Sequence, residues 1–99
     1  MNHSEEIKDY IKRHSYLFWW IRESDKEKIS LDLLVESILN YGDIPDIKEL
    51  FNLIGIDKVA QIFYKQISGK RVNYHPRTIN FFKLVFENYA QGNINKRTN

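Results

Sequence analysis

The sequence predicts an all-α fold, a single compact bundle of about five short helices. Three observations carry that reading. Apolar residues recur at helical spacing along the chain, nothing alternates with a strand's period of two over a useful length, and glycines and prolines fall between the periodic segments. A chain of 99 residues can bury one core, and 42% hydrophobic with 28% charged residues are the proportions of a folded globule. We expect one domain over residues 1–90 and a disordered polar tail over 91–99.

The elements follow in order. Ser4 ahead of Glu5 and Glu6 marks a helix start, because a hydroxyl caps free amides and early acids suit the positive end of the helix dipole. Ile7, Tyr10, Ile11 and His14 then share one face, and the segment YLFWWIRES breaks the period. Ser24 and Glu27 have capping-box spacing, with Ser30 as a later cap. Leu31, Leu34, Val35, Ile38 and Tyr41 form an apolar stripe opposite Asp32, Glu36 and Asn40, ended by Gly42. Asp46 with Glu49 repeats the capping spacing after Pro45, and Leu50, Phe51, Leu53 and Ile54 run to the next terminator, Gly55. Asp57 is positioned to cap a further helix that turns Val59, Ala60, Ile62, Phe63 and Ile67 inward and Lys58, Gln61 and Lys65 outward. SGKRVNY is a loop, and Pro76 suits the first turn of a last helix through RTINFFKLVFENYA.

On that last helix Thr78, Ile79, Phe82, Val85, Phe86 and Tyr89 fall on one side, with Phe81, Leu84 and Asn88 as an adjoining patch. Only Asn80, Lys83 and Glu87 are plainly water-facing. A sector that wide means a helix central in the bundle or half-covered by another molecule. Helical spacing favours core over a base-stacking platform for Phe81 and Phe82. Lys70, Arg71 and Arg77 gather in or beside the loop, as a solvated turn or as a phosphate site.

The formal net charge of +2 conceals an asymmetry: residues 1–57 hold twelve acids against seven bases, and residues 58–99 hold eight bases against Glu87 alone. Either the two halves neutralise each other in the fold, or the later half meets an acidic protein surface or a nucleic acid.

Much chemistry is unsupported. Without cysteine there is no disulfide framework or thiolate nucleophile, which fits a reducing cytoplasm. The longest apolar run, YLFWWI, is far short of the roughly 20 residues of a membrane span, so a soluble, unprocessed chain is expected. His3, His14 and His75 lie in no metal spacing and read as surface or turn residues, and no glycine loop cradles a phosphate. Asp43 and Asp46 read as capping residues before a helix in preference to a catalytic pair. No catalytic, cofactor or metal site is expected.

Two features point to binding. IKELFNLIGIDKVAQIFYK superficially resembles a DNA-binding helix-turn-helix, which would aim Lys58, Gln61 and Lys65 at the major groove. The bulk of Phe51 and the polarity of Gln61, where the motif wants small and apolar side chains, favour a plain helical hairpin. Trp19 and Trp20 are adjacent and cannot both face the core, so at least one ring is partly exposed unless loops shield both.

Leu17-Phe18-Trp19, Tyr41-Gly42-Asp43, Ile54-Gly55 and Pro76-Arg77-Thr78-Ile79-Asn80-Phe81-Phe82 together resemble a family of small uncharacterised bacterial proteins with an LFW box, a YGD turn and a late SPKTxNFW-like box. The resemblance covers residues 16–86 and departs at Trp20, where an acid is usual, at His75 in place of a capping Ser, and at Phe82 in place of Trp. It implies an antitoxin component encoded beside a nucleotidyltransferase-like toxin. The expected function is therefore a non-enzymatic, antitoxin-like interaction module with a protein partner. Its contacts would be Trp20, Lys65, Lys70, Arg71, Arg77, Phe81, Lys83 and Leu84. The alternative is nucleic-acid binding through Lys58, Gln61, Lys65, Lys70, Arg71 and Arg77, and the last helix could also seal a homodimer.

Overall fold

Ser4 opens the first helix, its Oγ accepting from the Ile7 amide at 3.2 Å, and α1 runs Glu5–Arg13. The computed structural model describes residues 4–98, with side chains as far as Tyr89, so the tail expected at 91–99 falls outside the described side chains. After α1, the aromatic segment that breaks the helical period forms a 3₁₀ helix, Ser15–Phe18, and a second one follows at Glu23–Lys28. Four more α-helices complete the described chain: α2 (Leu31–Tyr41), α3 (Ile44–Ile54), α4 (Ile56–Ile67) and α5 (Pro76–Thr98). The described residues form an all-helical bundle without a strand.

Several boundaries differ from the sequence reading for local reasons. Ser30 caps α2, accepting from the Leu33 amide at 3.1 Å, whereas Ser24 sits exposed inside the second 3₁₀ helix. The capping residue of α3 is Asp43, and Asp46 reaches back to its amide at 3.0 Å. Glu49, freed from capping, faces Arg13 of α1. Gly55 stands alone between α3 and α4 at φ 98°, a conformation that side chains with a Cβ rarely adopt, and α4 begins at Ile56, two residues before a helix capped by Asp57 would. A one-residue link also removes the helix-turn-helix option, since that motif needs a turn of about 3–4 residues.

The core gathers one face from each helix. Tyr10 and Ile11 of α1, Leu34, Val35 and Ile38 of α2, Leu50 of α3, and Val59 and Phe63 of α4 are fully buried, with Phe18 from the first 3₁₀ helix beside them. α5 contributes Phe82 and Phe86, which close on the ring of Phe63 at centroid distances of 6.1 and 5.4 Å. Tyr74, from the segment before α5, meets the same ring at 5.2 Å and donates its hydroxyl to Gln66. The pairs with Tyr74 and Phe82 are edge-on and that with Phe86 is tilted; aromatic pairs contribute about 0.5–1.5 kcal/mol each beyond the area they bury. Leu39 is also core, although it lies off the stripe read from the sequence, and Tyr41 is 65% exposed where that stripe had placed it inside.

A polar clasp ties α1 to α3. His14, expected at the surface, is buried, and its ring nitrogens lie 2.7 Å from the Tyr10 carbonyl oxygen and 2.9 Å from the Asp46 carboxylate. The Tyr10 hydroxyl donates to the Asp46 carbonyl at 2.8 Å, and Arg13 forks onto Glu49 while also bonding Asp9 at 2.9 Å. The His14 hydrogen bond, and after it the Asp43 amide, hold the Asp46 carboxyl below the usual carboxylate range. Arg13 does the same for Glu49.

Candidate interaction surfaces

The charge asymmetry survives folding. Every ion pair among the described residues joins partners within the first half, such as Lys12 with Glu27 at 2.9 Å and Lys26 with Glu23 at 2.6 Å. Lys58, Lys65, Lys70, Arg71, Arg77 and Lys83 are all exposed, and none has an acid within ion-pair distance among the described residues. Neutralisation of one half by the other, one of the two expectations, is not how the fold disposes of these cations.

Three depressions place the residues singled out above. Lys58, Gln61 and Lys65 line a shallow one of about 310 Å³ with Leu31 and Asp32 of α2. Arg77 and Phe81 line a smaller one of about 210 Å³ with Leu39 and Ile47. Within it Phe81 is 49% exposed while Phe82, its neighbour, is buried, so the preference for core holds for Phe82 and fails for Phe81, which stays in the adjoining patch. Leu84, 60% exposed, and Lys83 lie further along α5. Lys70 and Arg71 stand exposed on the segment between α4 and α5.

Trp20 belongs elsewhere. It lines a groove of about 670 Å³ between the first 3₁₀ helix, α2 and the segment before α5, apart from Phe81 and Leu84. Tyr16, Trp19, Trp20 and Tyr41 supply aromatic surface there, all more than half exposed. The two indoles meet edge to face at 6.0 Å, and Trp20 rests against buried Phe18 at 6.1 Å. The remaining lining mixes apolar Leu17 and Leu33 with polar Glu36, Ser37 and Asn40 from α2 and Asn73 and His75 from the segment before α5. Asn40 donates to the Asn73 carbonyl at 3.0 Å, while its Oδ1 is buried without a partner.

Desolvation, and then the charges of Asp46 and Asp43, raise the phenol of Tyr16. Burial, followed by Glu36 and Asp32, raises that of Tyr74. No Lys or Arg lines the groove.

The sequence indicated one wall of this groove, through the adjacent tryptophans, and missed the other. Tyr16, Glu36, Asn40, Tyr41, Asn73 and His75 come together only in three dimensions. One signal was present: Tyr41, directly before the helix-ending Gly42, sits where a helix leaves the core.

Among the described residues no three His, Asp or Glu side chains gather closely enough to hold a metal, and no helix is long and apolar enough to cross a membrane. Neither protein-family models, nor curated proteins, nor solved structures give a match to the chain.

Proposed function

We propose that the chain is a non-enzymatic, cytoplasmic protein-interaction module that neutralises a toxin by docking on it. The observation that carries this reading is the pairing on α5 of exposed apolar side chains, Phe81 and Leu84, with the unpaired cations Arg77 and Lys83. Leaving Phe81 and Leu84 in water forfeits burial energy, and interfaces recover it by enclosing such anchors within a charged rim. Lys65, Lys70 and Arg71 extend the same sign of charge, which suits an acidic partner surface. A toxin as that partner rests on the resemblance to antitoxin-like proteins.

Co-purification with the product of the adjacent gene tests the reading. The two should co-elute, expression of this chain should relieve the neighbour's toxicity, and Phe81→Asp with Leu84→Asp should abolish both effects. Separate elution with unchanged toxicity overturns it.

The unpaired cations also favour a second reading, nucleic-acid binding through Lys58, Gln61, Lys65, Lys70, Arg71 and Arg77. Each phosphate neutralised releases counterions, so duplex affinity would fall steeply with salt, with a log–log slope of about −0.9 per contact. Titration with duplex and single-stranded DNA or RNA at two ionic strengths decides it, and no binding at low salt excludes it.

A further inference from the structure

We propose that the aromatic groove around Trp19 and Trp20 is a second docking site that receives an arginine side chain of a partner protein. The proposal is independent of the reading of the basic face, because none of that face's cations lines the groove.

The groove selects its occupant by what it offers. Its rings, Tyr16, Trp19, Trp20 and Tyr41, present π faces and edges to solvent, and ring faces attract cations. Its one fully ionic side chain is Glu36, which is partly exposed and has no ion-pair partner among the described residues. The Asn40 Oδ1 in the same wall is buried and lies behind this surface, so the carboxylate of Glu36 is the charged acceptor the groove presents. A carboxylate beside open π surface, without an opposing Lys or Arg, calls for a donor-rich cation.

Other occupants fit less well. A phosphate or an acidic peptide would meet Glu36 as a like charge, which is destabilising at close range. A wholly apolar segment would bury that carboxylate unpaired, which is strongly unfavourable. A lysine ammonium satisfies the charge but is compact and strongly hydrated. A guanidinium is planar, more weakly hydrated and carries five donors in a fixed fork, so it can stack on an indole while bonding a carboxylate. The bundle then carries two docking chemistries of opposite sign, a cationic face on α5 and a carboxylate-bearing aromatic groove beside α2.

The test uses the full chain and three blocked tripeptides, acetyl-Gly-X-Gly-amide, in which X is arginine, lysine or citrulline. Two-dimensional NMR follows the two indole N–H signals, and calorimetry gives affinities. The arginine peptide should shift both indole signals saturably, whereas citrulline, nearly the same shape without the charge, should bind about tenfold more weakly. Lysine should fall between them. Glu36→Gln should weaken arginine binding by about five- to tenfold. Arg77→Ala, on the other face, should leave it unchanged.

The proposal is overturned if citrulline matches arginine, if Glu36→Gln changes nothing, or if none of the peptides shifts the indoles saturably. It is equally overturned if inorganic phosphate moves the same signals more strongly than arginine does. Far-UV circular dichroism and the dispersion of the spectrum show whether each variant is folded. Because the arginine peptides do not probe α5, their failure leaves the toxin-docking test standing, and the converse also holds.

Discussion

The two halves of the chain use charge in opposite ways. From α1 to α3 the charged side chains work inside the fold: Arg13 holds Asp9 and Glu49, Lys12 holds Glu27, and His14 holds Asp46. From α4 onward the fold is held by rings, Phe63 meeting Tyr74, Phe82 and Phe86, while the cations face water. The difference separates structural charge from available charge. Substituting a paired charge of the first half should change stability, whereas substituting an unpaired one, Glu36 in the first half or a cation of the second, should change binding.

The ring cluster gives the sharpest test of what holds the later half. Phe63→Ala empties a fully buried ring site against α5 and should destabilise the protein by about 3–5 kcal/mol in urea unfolding. A loss under about 1 kcal/mol would mean that α5 is not anchored by this cluster.

His14→Ala should cost about 2–3 kcal/mol, since it leaves the Asp46 carboxylate and the Tyr10 carbonyl without their shared partner. The same clasp predicts the pH dependence. Asp46 and Glu49 have depressed folded values, so their contribution is fully present above the ordinary carboxylate range and is lost as pH falls through those lower values. Urea midpoints should therefore drop on acidification, and His14→Ala should flatten part of that drop.

Gly55→Ala should cost about 1–2 kcal/mol through backbone strain alone, because a Cβ there meets no atom within 4 Å. The smallest expected effect breaks the comparison if it fails: Arg71→Ala with Arg77→Ala should shift unfolding by no more than about 0.5 kcal/mol. The same pair should weaken whatever macromolecule the basic face binds. A large stability loss would show those arginines to be structural after all.

Much of the architecture was readable from local pattern. Helical period and glycine stops were enough to outline the helices, because both are set by a few consecutive residues. What escaped was decided by tertiary packing. Helical spacing put Phe82 on the stripe and Phe81 in the patch beside it, but only packing against Phe63 decides that the patch stays outside. His14 follows the apolar face of α1, but nothing local reveals that Asp46 waits across from it. The groove is the strongest case, since Tyr16, Tyr41 and His75 are brought together only by the way three segments stack. Of the proposed contacts, the cations were the most legible: a surplus of one sign with few acids nearby in sequence stays unpaired unless the fold supplies acids from afar.

Both tryptophans of the chain stand in that groove, 79% and 54% exposed. Their emission in the native protein should already lie near that of indole in water, so denaturation should change its colour little and optical melting curves should be followed at the amide band. The same placement makes intrinsic fluorescence a private channel to one surface. It should respond to a molecule seated against Trp19 and Trp20 and stay nearly silent to one that covers Phe81 and Leu84, so a single cuvette can tell which side of the protein is occupied.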